Sequence, residues 1–118
     1  MTSSSTSPNE RTSVGLEARD EDGTRDWVGP VLQKGSVTDA VVAAIREQND
    51  AVRVVDRGAY LRVLSYRRCR VTREAIERHV GEPFHLPSDL ELIMSSFKGS
   101  FDVSEDEATW KFSTGRSA

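Results

Sequence analysis

The stretch AVRVVDRGAYLRVLSY, residues 51–66, decides the fold, because its pattern is that of a β-hairpin. β-branched and aromatic residues dominate it, which favours strand over helix. Residues 52–55 and 59–65 are the two predicted strands, and Asp56-Arg57-Gly58 is the turn, where Gly58 is free to take a positive φ. In the second strand, alternation places Tyr60, Arg62 and Leu64 on one side of the sheet.

The segment before the hairpin predicts one strand and one helix. Residues 27–32, WVGPVL, are short, apolar and typical of a strand. Pro30 has no N–H to donate to a neighbouring strand, so we expect this strand to lie at a sheet edge or to carry a bulge. Ser36 is a favourable N-cap residue, and the apolar spacing that follows it predicts a helix over residues 37–48.

The segment after the hairpin predicts a second helix and then a strand. Thr72 is the expected N-cap of that helix, which ends at Gly81 shortly before a proline. Residues 90–96 are predicted as a strand, because Pro87 and Gly99 bound a segment too short for a comfortable helix. The apolar residues there also fit helical spacing, so the pattern itself leaves both structures open.

The end of the chain alternates between apolar and polar residues and predicts a β-hairpin over residues 97–103 and 108–112. Gly99 is expected to mark a bulge or the close approach of another backbone. The predicted order is β-α-β-β-α-β followed by a C-terminal hairpin. This is an α+β fold with helices packed on antiparallel sheet.

Composition divides the chain into one domain and two tails. Residues 1–26 contain six acids and three arginines, a net charge of −3, and few large apolar groups. Such a segment cannot bury enough surface to offset its ordering entropy, so we predict a disordered acidic tail, a folded domain over 27–113 and a short tail over 114–118. No apolar run long enough to span a membrane and no signal-peptide pattern is visible, which predicts a cytoplasmic protein.

Charge is segregated along the domain. Residues 57–78 contain seven arginines and two glutamates, whereas residues 82–107 contain seven acids and one lysine. Solvated faces explain most charge runs, and the alternative is a polarised surface that orients a protein partner. Nucleic acid is a weak candidate partner, because the chain as a whole has a net charge of −3 and no basic domain.

The sequence contains none of the common catalytic or phosphate-binding motifs. Cys69 lies between Arg68 and Arg70, which would favour a lowered thiol pKa, but a nucleophilic cysteine usually also needs a base. His79 is predicted on the apolar side of the second helix, as a histidine at the core edge with one hydrogen bond, and His85 in an exposed loop. We therefore predict no catalytic residue, no cofactor and no metal site.

Four segments, in this order and spacing, resemble the effector or coupling proteins of soluble diiron monooxygenases, the MmoB/DmpM family. The resemblance is greatest to the toluene, alkene and isoprene monooxygenase branch and covers about residues 27–113. The four segments are VGPV at 28–31, DRGAYLRV at 56–63, IERHVGEPF at 76–84 and LELIMSSFKG at 90–99.

This resemblance implies a monomeric protein without a prosthetic group that binds the large subunit of a diiron hydroxylase over its metal-bearing helices. It would couple electrons from a ferredoxin or reductase to O₂ activation and to oxidation of an alkene, isoprene or an aromatic. The family offers no catalytic residue to transfer. From exposure and position alone, the candidate contact residues are Gly29, Pro30, Arg57, Tyr60, Arg62, Ser95, Ser96, Phe97, Lys98 and Gly99.

Two other functions fit the same sequence less well. The β-α-β-β-α-β order also occurs in ferredoxin-like domains that sense small molecules, and that alternative predicts a ligand pocket at a dimer interface. A cysteine-dependent enzyme built on Cys69 and His79 is a distant third.

Overall fold

A computed structural model describes residues 26–112, within which the chain forms seven strands and three helices, and it confirms the predicted α+β class. In chain order the elements are β1 (Trp27–Gln33), α1 (Ser36–Gln48), β2 (Val52–Asp56), β3 (Tyr60–Tyr66), β4 (Arg68–Thr72), α2 (Arg73–Val80), α3 (Ser88–Ile93), β5 (Met94–Lys98), β6 (Ser100–Val103) and β7 (Glu107–Lys111).

A four-stranded antiparallel sheet with the strand order β2-β3-β1-β5 contains the predicted hairpin. The pairing of β2 with β3 runs from Val52 opposite Ser65 to Asp56 opposite Leu61. Because β3 lies between β1 and β2, and β1 lies between β3 and β5, each helical connection passes over one intervening strand. The result is two interleaved split β-α-β units.

The prediction that Pro30 marks an edge strand is wrong, since β1 lies between β3 and β5. The sheet tolerates this proline through local irregularity. Paired residues of β1 and β3 stand on either side of Gly29 and Pro30, with Val28 opposite Ser65 and Val31 opposite Arg62. The register with β5 shifts between Val31 and Leu32, so the alternative prediction of a bulge is confirmed one residue beyond the proline.

A second, three-stranded sheet with the order β4-β7-β6 was only partly predicted. Its β6–β7 hairpin is confirmed, with Phe101 opposite Trp110. Strand β4 was not predicted, because three of its five residues are polar or charged and an arginine flanks it on each side. Cys69 and Val71 nevertheless alternate with Arg68 and Arg70, and both apolar side chains are buried.

The predicted strand over residues 90–96 is wrong in its first half. Residues Ser88–Ile93 form α3, and β5 begins at Met94. Helical spacing decides the outcome, because it buries Leu90 completely while Leu92 on the opposite side stays exposed. Pro87 stands at the N-cap of this short helix.

Gly99 connects the two sheets and confirms the predicted close backbone approach. A Cβ atom at this position would stand 2.6 Å from the carbonyl oxygen of Lys111 and 2.8 Å from Cγ1 of Val28. Since φ at Gly99 is also +102°, only glycine fits at this crossing without a shift of its neighbours.

The helix caps predicted from the sequence are confirmed at α2, whereas the predicted N-cap of α1 is wrong. The Thr72 hydroxyl accepts a hydrogen bond from the Ala75 N–H at 3.2 Å, and Gly81 ends α2 with a φ of 81°, as predicted. Ser36 is instead the first residue of α1, and Gly35 occupies the N-cap position without a side chain to cap the helix. The hydroxyl of Thr38 donates to the carbonyl oxygen of Gln33, which ties this helix start to β1.

One apolar core joins the sheets and the helices. Helix α1 packs against α2 and β4, and its buried side chains meet those of the two sheets. The largest buried members of this core include Val28, Leu32, Val41, Ile45, Val63, Val71, Ile76, Leu90 and Trp110.

The predicted tails, residues 1–26 and 114–118, lie outside the described residues except for Asp26, so the domain boundaries stay predictions. Asp26 accepts a hydrogen bond from the Arg67 guanidinium at 3.3 Å. Between residues 26 and 112, no helix has the length and apolar character needed to cross a membrane.

Candidate functional site

An open groove of about 540 Å³ lies on the four-stranded sheet, across β1, β3 and β5. It brings together residues 29–31, 60–64 and 95–98, three groups that lie far apart along the chain. Eight of the ten candidate contact residues line it: Gly29, Pro30, Tyr60, Arg62, Ser95, Ser96, Phe97 and Lys98.

Two candidates lie outside the lining of this groove. Arg57 belongs to the β2–β3 turn, where its backbone N–H donates to the Tyr60 carbonyl oxygen at 2.9 Å. Gly99 lies at the crossing between the sheets, where its role is to admit the backbone of β7. The groove therefore includes the predicted contact residues of β1, β3 and β5 but not those at the β2–β3 turn and at the crossing between the sheets.

Val31 and Leu64 complete the groove and were missed as site residues. The sequence did contain a signal for Leu64, because alternation in β3 places it on the same side as Tyr60 and Arg62. Val31 stands directly opposite both Arg62 on β3 and Ser96 on β5. Its place at the centre of the groove depends on strand order, which local patterns do not reveal.

We call the side of the sheet that carries the groove the outer face. Cross-strand pairing assigns it Arg53 opposite Leu64, Val55 and Val31 opposite Arg62, and Ser96 opposite Val31. Among its strand positions, all within the described residues, the charged side chains are Arg53, Arg62 and Lys98, and none is acidic. The outer face is therefore a cationic surface around an apolar floor.

Tyr60 and Phe97 are the aromatic residues in the lining of the groove, and Phe97 has 44% of its surface exposed. Its ring centroid lies 5.3 Å from that of Phe101, which in turn stacks on Trp110 at 5.1 Å. Trp110 is fully buried. Ring contacts thus run from Phe97 through Phe101 to the buried Trp110, so Phe97 packs on one side against the core while part of its surface contacts solvent.

Gly29 and Pro30 are part of the groove wall but are themselves buried. A Cβ atom at Gly29 would stand 1.9 Å from the Val63 carbonyl oxygen, so this glycine is required by the packing of β1 on β3. Its presence in the sequence therefore has a sufficient structural explanation.

The idea that arginines lower the pKa of Cys69 is wrong. The thiol is buried opposite Trp110, and burial raises its pKa to about 12. A neutral thiol is a poor nucleophile. The arginines on either side point away from it because strand alternation sends neighbouring side chains to opposite faces.

The two histidines are both surface residues. His79 was predicted at the core edge, but it is exposed, and its Nε2 lies 3.4 Å from the Glu47 carboxylate on α1. His85 is exposed as predicted, with its Nδ1 3.3 Å from the Asp89 carboxylate. Across residues 26–112, no three His, Cys, Asp or Glu side chains converge in a way that would hold a metal ion.

Comparison with known proteins identifies the family. The family model described as the MmoB/DmpM family matches residues 26–111, nearly the whole described domain. The chain belongs to the MmoB/DmpM family.

A curated family relative supports the same assignment. The chain is 39% identical over 94 residues to a protein of Xanthobacter autotrophicus named as the effector subunit of an alkene monooxygenase system. The match covers 78% of this chain and 92% of that protein. The match therefore extends over most of both chains.

Solved structures share the MmoB/DmpM fold. A chain in a structure of a phenol hydroxylase–regulatory protein complex superimposes with a TM-score of 0.67 at 20% identity, covering 74% of this chain and 99% of that one. The structure of the soluble methane monooxygenase regulatory protein B gives a TM-score of 0.58 at 22% identity, covering 75% of this chain and 67% of that one. At these identities the likeness concerns the fold.

Proposed function

We propose that this MmoB/DmpM protein is the effector component of a diiron monooxygenase that oxidises an alkene, isoprene or an aromatic. The observation that carries the proposal is the 39% identity, over 92% of its length, to the effector subunit of an alkene monooxygenase system. The partner would be the large hydroxylase subunit, with a ferredoxin or reductase as the indirect source of electrons.

The groove on the outer face is the proposed docking surface. It combines an apolar floor, formed by Val31 and Leu64, with the partly exposed Phe97 and the cations Arg62 and Lys98. Protein interfaces are typically built in this way, from an aromatic anchor surrounded by polar groups that fix orientation. A cationic docking surface favours an acidic region on the hydroxylase and makes association sensitive to salt.

The protein would act by preferring one hydroxylase conformation over another, since a ligand shifts an equilibrium only by its differential affinity. A swing from 1:99 to 99:1 needs about 5.5 kcal/mol of such preference. A standard-size protein interface is large enough to supply it.

A non-catalytic role is part of the proposal. The only cysteine is buried with a raised pKa, and the two histidines lie beside surface carboxylates and do not line the groove. Within residues 26–112, the lining of the groove contains no carboxylate, histidine or cysteine. Its chemistry is that of recognition.

The test is a titration of the hydroxylase and its reductase with this protein, with epoxide or hydroxylated product as the readout. Turnover should rise and saturate, and the protein alone should form no product. Arg62→Glu should require at least tenfold more protein for half-maximal activation. Arg46→Glu, which reverses a charge on α1 away from the groove, should behave as the wild type does. Absence of both binding and activation would overturn the proposal.

The ferredoxin-like sensing domain is not favoured. The four-stranded sheet does keep the split β-α-β connectivity of such domains, but β4 and the β6–β7 hairpin form a second sheet beside it. The MmoB/DmpM match spans both sheets as one unit. A monomeric state and a cytoplasmic location remain predictions.

A further inference from the structure

The outer face and the N-terminal segment of the same chain have opposite charges. The outer face carries Arg53, Arg62 and Lys98 on its strands and no acid. Residues 17–22, EARDED, contain four acids and one arginine, a net charge of −3 within six residues. We call residues 17–22 the acidic segment.

We propose that the acidic segment binds in the groove of its own domain, against Arg62 and Lys98, and competes there with the hydroxylase. The competition rests on the proposed function, whereas the intramolecular contact does not. The N-terminal segment would then be autoinhibitory, because its binding in the groove would lower the apparent affinity of the protein for the hydroxylase.

The length of the connection permits this contact. Asp22 precedes Trp27, the first residue of β1, by five positions, which allows a span of about 16 Å in an extended chain. The groove begins at Gly29, only two residues into the same strand. Gly23 and Thr24 lie between the acidic segment and β1, and glycine readily adopts the backbone conformations of a chain reversal.

The groove has the shape and chemistry for such an occupant. Ser95 and Ser96 on β5 are small and exposed, which leaves room beside the apolar floor for a peptide backbone. The cations Arg62 and Lys98 lie on either side of the apolar floor, with Val31 between their strands. A carboxylate-rich extended segment therefore meets charge complementarity across the width of the groove.

The strength of this contact should be modest. Each exposed ion pair contributes little by itself, but a short tether raises the local concentration of the segment to about the millimolar range. An intramolecular contact of this kind is populated without being permanent. Removing the segment's charge should therefore tighten hydroxylase binding by roughly three- to tenfold.

The first measurement detects the contact without any hydroxylase. A nitroxide is attached to the full-length Ser13→Cys variant. Cys69 should not compete for the label, because it is buried and protonated. Amide NMR signals of Ser96 and Lys98 should be attenuated at least twofold more than in the matched protein in which Glu17, Asp20, Glu21 and Asp22 are replaced by Gln or Asn. That matched protein keeps the same tether and supplies the baseline.

Salt provides an internal control on the electrostatic origin of the contact. At 1 M salt the screening length is about 3 Å, so the extra attenuation should disappear. Equal attenuation in the two proteins at low salt would overturn the proposal. Attenuation that persists in 1 M salt would also contradict it, because the contact would then not depend on charge.

The second measurement is the affinity of both unlabelled proteins for the hydroxylase. Tighter binding of the neutralised protein supports competition, and equal or weaker binding overturns it. If neither protein binds, the proposed effector function fails while the labelling result still decides whether the contact exists. If both bind equally well and the labels report no contact, the autoinhibition fails and the effector function stands.

Discussion

A Cβ atom built at Gly29 would stand 1.9 Å from the carbonyl oxygen of Val63. The backbone of β1 therefore approaches β3 more closely than any side chain permits, and φ at Gly29 is +152°. We predict that Gly29→Ala lowers the free energy of unfolding by at least about 3 kcal/mol, in the range of severe core disruptions. Urea denaturation followed by circular dichroism measures this loss.

Gly58→Ala is the matched control for that substitution. Gly58 also has a positive φ, +91°, but nothing lies within 4 Å of a Cβ atom built there. Gly58→Ala should therefore lower the free energy of unfolding by only about 1–2 kcal/mol, the cost of the left-handed backbone conformation for alanine. Equal losses at the two positions would show that the contact with Val63 is not what requires glycine in β1.

Phe97 should matter more for docking than for folding. It is 44% exposed at the groove, and it rests on Phe101 at 5.3 Å. Phe97→Ala should weaken hydroxylase binding about tenfold, roughly 1.4 kcal/mol, with a smaller effect on the free energy of unfolding. Calorimetric or fluorescence titration gives the affinity.

Leu92→Ala is the corresponding control for exposed apolar surface. Leu92 is 76% exposed on α3 and does not line the groove. Its replacement should leave hydroxylase affinity unchanged. If Leu92→Ala weakens docking as much as Phe97→Ala does, the interface must extend well beyond the groove.

The Cys69 thiol should be unreactive in the folded protein, because burial raises its pKa to about 12 from an ordinary value of 9.0. Iodoacetamide at pH 8 should modify it only after unfolding, as seen by mass spectrometry. The raised pKa also determines the sign of a pH effect on the free energy of unfolding. The contribution of the buried neutral thiol to stability is complete below pH 9 and is lost as the pH rises toward 12.

Comparison with Cys69→Ala isolates that pH effect from other titrating groups. The difference in unfolding free energy between the wild type and the variant should fall by about 1.4 kcal/mol for each pH unit above 9. Urea titrations at pH 8 and at higher pH measure it. A difference that does not change with pH would mean that the thiol ionises as easily in the folded state as in the unfolded one.

Glu77 should stabilise the fold at neutral pH but not in acid. A backbone hydrogen bond from the Phe84 N–H, at 2.9 Å, holds the pKa of Glu77 below its ordinary value of 4.5, and Arg73 adds to this effect. A lowered pKa gives stabilisation that is present above 4.5 and is lost as the pH falls through the folded-state pKa.

Glu77→Gln should therefore lower the urea midpoint at pH 7 and make little difference in strong acid. Glu74→Gln, on the exposed side of the same helix, is the control and should change the midpoint less at pH 7. A Glu77→Gln effect that is the same at both pH values would indicate a contribution from packing rather than from charge.

The residues near the groove show how far sequence patterns reach. Alternation in β3 was sufficient to place Tyr60 and Arg62 on one face, because the side-chain period of a strand is a local property. The position of β1 between β3 and β5 was not predictable in this way. A proline favours an edge, and only the pairing of distant strands shows that the sheet accommodates Pro30 in its centre.

Residues 88–93 show where local patterns were ambiguous. The apolar residues of this segment fit either helix or strand, and no local pattern indicates which side of the segment should bury Leu90. The core decided, because the helix buries Leu90 fully while it leaves Leu92 in solvent. In the same way, no local pattern pairs His79 with Glu47, because the two residues meet only through the packing of α1 against α2.

By itself, the sequence determined the β-hairpin at 51–66, the second helix with its Thr72 and Gly81 ends, and the opposite charges of the N-terminal segment and the arginine-rich strands. These depend on neighbours a few residues apart. Tertiary structure alone decided the pairing of β4 with β7 in the second sheet, the burial of Cys69 and the groove in which Gly29, Arg62 and Ser96 meet. Such features depend on contacts between strands far apart in the chain, whose energies are collective and are not contained in any one segment.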